Sequence, residues 1–181
     1  MERGRGIPLR TPARRRTVFI GRGERELPLI YDRSESTLAL PPSVIGELGL
    51  ELGQPIHIMV RDGGHQLVVG PLVGIWVSPG AIRRWSPALR VLVQEARAAG
   101  TIPFVFDIDG IGRKTRHIKG WVAKGDQLAP AVLPLPDIIY NRATYRHNLQ
   151  RRAQARRLRQ AEGMGRHPLR QHRLRFPQVG N

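Results

Sequence analysis

A candidate ligand site is the run Tyr140-Asn141-Arg142, which follows a short apolar segment typical of a β-strand. In open α/β sheets, ligands bind beyond the carboxyl ends of the strands. Arg142 could bind a carboxylate or a phosphate there, and the amide of Asn141 could hydrogen-bond a substrate. The same three residues could instead cap the strand and form a hinge between domains. The sequence therefore leaves a substrate-binding and a structural interpretation of this run.

Two carboxylates, Asp107 and Asp109, follow the strand-like segment 104–106, and Gly110 and Gly112 lie next to them. Carboxylate oxygens could hold Mg²⁺. No third ligand or phosphate-binding loop accompanies them, and Asp and Gly are the usual residues of tight turns, so we predict a turn. The six histidines are scattered, and no Gly-x-Ser-x-Gly motif occurs. The sequence therefore assigns no metal ligand and no catalytic residue.

The net charge of +16 belongs mainly to the two ends of the chain. Residues 1–16 hold six Arg and one Glu, residues 141–181 hold eleven Arg and one Glu, and residues 17–140 carry a net charge of +1. A folded nucleic-acid-binding domain would spread its basic residues over one face. The tail could bind nucleic acid weakly by counterion release, through Arg151, Arg152, Arg156, Arg157 and Arg159.

Composition excludes several classes of protein. The chain has no Cys, which rules out a disulfide framework and Cys-ligated metal. No apolar run approaches the length of a membrane span, and no apolar segment of a signal peptide follows the basic N-terminus. We therefore expect no membrane partner and a cytoplasmic location.

The elements that must position these residues can be predicted along residues 27–70, which we interpret as a small β-rich domain. Residues 27–31 and 37–40 are strand-like, and a short helix should begin at Pro42 or Ser43 and end before Gly49 at positive φ. Asp62-Gly63-Gly64 is typical of a hairpin turn. Residues 1–26 are expected to be a mostly disordered basic arm with at most one strand.

Residues 71–142 predict an α/β unit. A buried parallel strand over 72–77 leads to a helix that is capped by Ser86, begins at Pro87 and ends at Gly100. Strands follow at 103–106 and 118–122, residues 132–136 form an extended link, and the last strand covers 138–140. The helix between two strands predicts a parallel pair.

The order of these motifs resembles the front end of the YheC/YheD family, spore-coat-associated proteins that carry an ATP-grasp domain. The segments that carry the resemblance are 70–79, 104–107, 118–122 and 134–142, so it covers roughly residues 28–142. It implies a mixed α/β fold, with a small β-rich N-terminal domain before a Rossmann-like pre-ATP-grasp half-domain, and a spore-associated location as the alternative to a cytoplasmic one. Tyr140, Asn141 and Arg142 would lie at the junction with the ATP-grasp module, in a substrate-binding or interdomain role.

The resemblance implies ATP and Mg²⁺ as cofactors of the full-length family, which is related to carboxylate–amine ligases. We expect this chain to be a truncated N-terminal part that lacks the ATP-binding catalytic domain, its missing partner. It should therefore bind no cofactor and show no ligase activity alone, which leaves its status as an enzyme uncertain. Strands 72–77 and 138–140 are then expected to have lost a covering domain.

Two alternatives belong to other classes of protein. The strand–helix–hairpin pattern is also similar to the DNA-binding fold of AbrB-type regulators, although the segment 36–53 that would face DNA carries Glu47 and Glu51 and no basic residue. A non-catalytic structural spore protein is the other alternative. Residues 143–181 are expected to be an Arg-rich tail, disordered or loosely helical, and their composition is also what a shifted reading frame would give.

Overall fold

The computed structural model describes residues 14–32, 37–84, 86–112, 116–143 and 156. Ten strands and two α-helices make up these residues, which confirms a mixed α/β fold. The strands are β1 (Arg14–Ile20), β2 (Gly23–Asp32), β3 (Thr37–Ala39), β4 (His57–Arg61), β5 (Gln66–Gly70), β6 (Leu72–Trp76), β7 (Ile102–Phe106), β8 (His117–Lys124), β9 (Gln127–Pro134) and β10 (Ile138–Asn141). The helices are α1 (Pro42–Leu48) and α2 (Pro87–Ala98).

The strands form two five-stranded sheets. The first sheet has the order β3-β2-β1-β5-β4, and the second has the order β10-β6-β7-β8-β9. In the second sheet β6 runs parallel to both β7 and β10, while β8 and β9 are antiparallel. The predicted parallel pair is therefore confirmed, with α2 as its connection.

The local signals of the sequence formed the expected elements. Helix α1 begins with Pro42 in its first turn and ends at Gly49, whose φ of 64° is left-handed. Helix α2 begins behind Ser86, whose hydroxyl accepts a hydrogen bond from the Leu89 amide. Strands β4 and β5 pair in antiparallel fashion around Asp62–Gly64, as predicted.

Two elements differ from the sequence-based expectation. The arm predicted over residues 1–26 contains β1, which lies inside the first sheet between β2 and β5, and β2 already begins at Gly23. The residues predicted as an extended link, 132–136, overlap β9, which pairs with β8 along its whole length. Both strands pair in hairpins, β1 with β2 across Gly21-Arg22 and β9 with β8 across Gly125-Asp126, although the Arg residues of β1 and the prolines of β9 give weak strand patterns.

The core lies on both faces of the second sheet. Between the two sheets, Val18 and Leu67 of the first sheet pack with Phe104 and Phe106 of the second. On the opposite face, α2 covers Ile75. Strand β6 is thus buried on both sides, so the expectation that it had lost a covering domain is wrong. In β10, for which the same was expected, Ile139 is buried, and Ile138 and Tyr140 are half-buried. None of the described helices is long and apolar enough to cross a membrane.

Asp137 lies immediately before β10 and contacts Leu72, the first residue of β6. Its Oδ2 accepts a hydrogen bond from the Leu72 amide at 2.9 Å. Burial of the carboxyl raises the pKa of Asp137 above its ordinary value of 3.8, although the Leu72 hydrogen bond and the nearby Arg22 act in the opposite direction. The ionised side chain therefore costs more free energy in the folded than in the unfolded protein.

The raised pKa of Asp137 predicts a pH-dependent effect of Asp137→Asn. Below the ordinary pKa both states are protonated, and as pH rises through the folded-state pKa the native protein loses stability that it held in acid. The Asn amide oxygen can still accept from Leu72 but cannot ionise. We expect the stability of the variant relative to the native protein to improve between about pH 3 and about pH 7.

Urea unfolding at the two pH values measures this difference. Asp126→Asn is the matched control, since its side chain is 92% exposed. Its relative stability should change little with pH. The prediction would be contradicted if the stability of the native protein increased relative to that of Asp137→Asn as pH rises.

Candidate functional site

An open cleft of about 490 Å³ lies beyond the carboxyl ends of β6 and β10. Parallel strands end at the same edge of a sheet, and α2 leads from β6 toward β7, away from β10. This leaves the edge between β6 and β10 open, as at the ligand sites of other open α/β sheets. The cleft is lined by Val77, Ser78, Pro79, Ala81, Arg84, Ser86, Ala88, Leu89, Val91, Leu92, Glu95, Tyr140 and Arg142.

Strand β10 presents alternate side chains to this cleft. Tyr140 packs against the apolar cluster beneath α2, and Arg142 lies two residues further on the same side. The Arg142 amide donates to the Trp76 carbonyl at 2.8 Å, which continues the pairing with β6. Of the three predicted site residues, the structure thus brings Tyr140 and Arg142 to the cleft.

Asn141 has a different position. Its Oδ1 accepts a hydrogen bond from the Ala143 amide at 3.0 Å, which forms a local turn at the end of β10. The side chain is exposed and does not line the cleft. For Asn141 the geometry fits the strand-capping interpretation of the sequence, because neighbouring residues of a strand point to opposite faces.

The loop between β6 and α2 supplies the facing wall. Two turns shape this loop. The Ala81 amide donates to the Ser78 carbonyl at 3.0 Å, and the Arg84 amide donates to the Ala81 carbonyl at 3.2 Å. Arg83 and Arg84 are both exposed, and of the two Arg84 lines the cleft.

The lining combines an apolar wall with charged groups at the rim. Leu89, Leu92 and Tyr140 form the wall, while Arg84 and Arg142 outnumber the acidic Glu95. Arginine presents a planar fork of donors that matches carboxylates and phosphates. The Ser86 hydroxyl already accepts the hydrogen bond that caps α2. The arrangement therefore supplies groups with the chemistry to bind and orient an anionic ligand.

The carboxylates after β7 form the predicted turn. Asp107 Oδ1 accepts hydrogen bonds from the amides of Asp109 at 3.0 Å and Gly110 at 3.2 Å. Over the described part of the chain, no three His, Asp or Glu side chains lie close enough to hold a metal ion.

No protein-family model, curated protein or solved structure matches the chain. The resemblance to the YheC/YheD family therefore rests on the order of its motifs and stays a prediction.

The segment that an AbrB-like protein would turn toward DNA is held by ion pairs. Arg25 donates to both carboxylate oxygens of Glu47 at 2.6 and 2.7 Å, which raises the pKa of Arg25. Glu51 accepts from Arg97 at 2.6 Å. Of the five tail arginines predicted to contact nucleic acid, Arg156 is described and exposed. The other four, Arg151, Arg152, Arg157 and Arg159, lie outside the described residues.

Proposed function

We propose that residues 14–142 form a ligand-binding α/β unit of a YheC/YheD-type ATP-grasp protein. The cleft beside Tyr140 and Arg142 would take the anionic group of its substrate. One observation carries the binding part of the proposal: two arginines from separate elements, Arg84 and Arg142, line one cleft at the open edge between β6 and β10. The assignment to the family is supported by the motif order together with the parallel β6-α2-β7 unit.

The chemistry of the lining favours a small molecule with an anionic and an apolar part. A cleft of about 490 Å³ lies within the usual size range of small-molecule sites. The two guanidinium groups attract a carboxylate or phosphate, and the Tyr140 ring with Leu89 and Leu92 offers apolar contact. Hydrogen bonds to charged groups contribute about 1.5–3 kcal/mol each. Loss of either arginine should therefore weaken binding markedly.

In this proposal the first sheet and α1 correspond to the small β-rich domain, and the second sheet with α2 corresponds to the Rossmann-like half-domain that precedes an ATP-grasp module. ATP and Mg²⁺ would bind the ATP-grasp module, and the cleft would hold the substrate. Spore-coat association belongs to the same proposal. Searching the DNA beyond codon 142 in all three frames for an ATP-grasp module tests the family assignment, and an unrelated continuation in each frame argues against it.

Binding of phenyl phosphate and benzoate, measured by isothermal titration, tests the anion site. We expect Arg84→Ala and Arg142→Ala each to weaken binding of these probes by about tenfold or more. The matched control is Arg83→Ala, which removes an exposed arginine one residue away that does not line the cleft. It should leave affinity within about twofold.

Neutral benzyl alcohol separates anion recognition from apolar burial. We expect benzyl alcohol to bind more weakly than either anion, and its affinity to be unchanged by Arg84→Ala. Equal binding of the neutral and anionic probes, or equal losses for Arg83→Ala and Arg84→Ala, would contradict the proposed site.

A further inference from the structure

The face of the first sheet that points away from the core carries an ordered set of side chains. Strand register places Glu24, Phe19, Val68 and Met59 side by side across β2, β1, β5 and β4. We call Phe19, Val68 and Met59 the apolar row; Glu24 is the charged residue at its β2 end. Two residues further along the strands, a polar row crosses the same strands and consists of Glu26, Thr17, Gln66 and Arg61.

Burial shows that the apolar row points outward. Its neighbours along the strands, such as Val18 and Leu67, are fully buried between the sheets. Phe19, Val68 and Met59 belong to neither of the two core clusters of the described residues, and Met59 is 55% exposed. Because side chains alternate along a strand, the three apolar residues share the solvent face. A sheet face with such a row has apolar surface that a partner could bury.

The polar row is charged with opposite signs at its two ends. Exposed Glu26 lies on β2, and exposed Arg61 lies on β4 at the other side of the sheet. Glu24 adds a second carboxylate on β2. Glu26 is 3.9 Å from Arg15, but both side chains are mostly exposed, at 69% and 78%, so this pair contributes little. The face is therefore complementary in charge to a copy of itself turned by half a rotation.

We propose that two copies of this chain associate face to face through these rows. A twofold axis parallel to the strands, midway between β1 and β5, exchanges β2 with β4 and β1 with β5. It places Glu26 opposite Arg61 of the second copy and Phe19 opposite Val68 of the second copy. Each contact occurs twice, as in an isologous interface. Sheets stack in this way with their inner faces about 10 Å apart.

The size of the face sets the strength of the association. Neighbouring strands are about 4.8 Å apart and side chains on one face recur about every 6.8 Å, so two rows across four strands cover on the order of 260 Å² on each copy. This is about a third of the area that a stable interface buries on each partner. The dimer should therefore be reversible, with a dissociation constant in the micromolar range, roughly.

Sedimentation velocity of the full chain over a concentration series tests the dimer. We expect Glu26→Arg and Arg61→Glu each to weaken association about tenfold or more, and the double variant to return it to within about threefold of the native value. Met59→Asp should also weaken it. Val132→Asp is the matched control, because Val132 is similarly exposed, at 53%, but lies on β9 of the other sheet.

The charge-reversal variants distinguish association through this interface from association that is limited only by repulsion between basic chains. Arg61→Glu lowers the net charge of +16, so it would strengthen any association that repulsion limits, whereas the proposed interface requires that it weaken association. Thermal unfolding of each variant verifies that it is folded. A native chain that stays monomeric at about 200 µM, or a double variant that fails to regain association, overturns the proposal.

Discussion

Arg97→Met should lower the free energy of unfolding by about 2–4 kcal/mol. The Arg97 guanidinium ties three separate segments together, since Nη1 donates to Glu51 at 2.6 Å and Nη2 donates to the carbonyls of Gly49 and Ala123, both at 2.6 Å. Only 13% of the side chain is exposed. Methionine would keep much of the apolar contact but would leave two carbonyl oxygens without this donor, and urea unfolding measures the loss.

Arg90→Met is the matched control on the same helix. Arg90 is 43% exposed and lies 3.9 Å from Asp126, a carboxylate that is itself 92% exposed. Exposed pairs of this kind contribute about 0–1 kcal/mol, so the control should stay within about 1 kcal/mol of the native protein. Equal losses for the two variants would show that Arg97 does not act as a link between these segments.

Arg97→Lys distinguishes the donor geometry from the charge. A lysine keeps the positive charge but presents one compact ammonium in place of a planar fork. The distances to Glu51 on one side and to Gly49 and Ala123 on the other depend on two separate nitrogens. We expect lysine to recover less than half of the stability that methionine loses, and full recovery would assign the effect to charge alone.

Elements with strong local signals were predictable from the sequence. The proline at the start of α1 and Gly49 behind it mark that helix, and Ser86 with Pro87 marks the start of α2. Asp62-Gly63-Gly64 marks the hairpin. In each case a few adjacent residues restrict the backbone or supply a cap, so the information is contained in the segment itself.

Two strands whose own residues argue against a strand were not predictable in the same way. β1 begins in an Arg-rich stretch and pairs both with β2, across Gly21-Arg22, and with β5, about fifty residues away along the chain. β9 contains Pro130 and Pro134, which argue against a strand when read alone. As the edge strand of its sheet, β9 has only one neighbour to bond, so prolines are tolerated there.

The candidate site also contains some residues that the sequence indicated and others that only tertiary packing brings in. The apolar segment before Tyr140 and the cation two residues later were visible in the sequence, and both residues reach the cleft. Side chains alternate along a strand, so Asn141 should point away from the face that Tyr140 and Arg142 share. The sequence did not show which face of β10 borders the cleft. Glu95 and Leu92 enter the cleft only because α2 packs across β6, which is a tertiary fact.

Gly49→Ala should destabilise the protein by about 2–4 kcal/mol. Alanine is strained at the backbone conformation of this position, and the surroundings leave no space for its methyl group. Gly49 has a φ of 64°, where residues with a Cβ are strained. A Cβ built there would lie 2.6 Å from Val122 Cβ and 3.1 Å from the Ala123 carbonyl oxygen. Since that oxygen also accepts from Arg97, the backbone shift needed to admit a methyl group would disturb the same link.

Gly46→Ala in the same helix is the control for Gly49→Ala. Gly46 lies inside α1, and a Cβ there would have no atom within 4 Å. Alanine favours the helix over glycine, so this variant should stabilise the protein by about 0.5–1 kcal/mol. Opposite signs for two identical substitutions three residues apart would show that φ and the contact with Val122 decide the outcome. Two variants of the same sign in urea unfolding would contradict the conformation assigned to the end of α1.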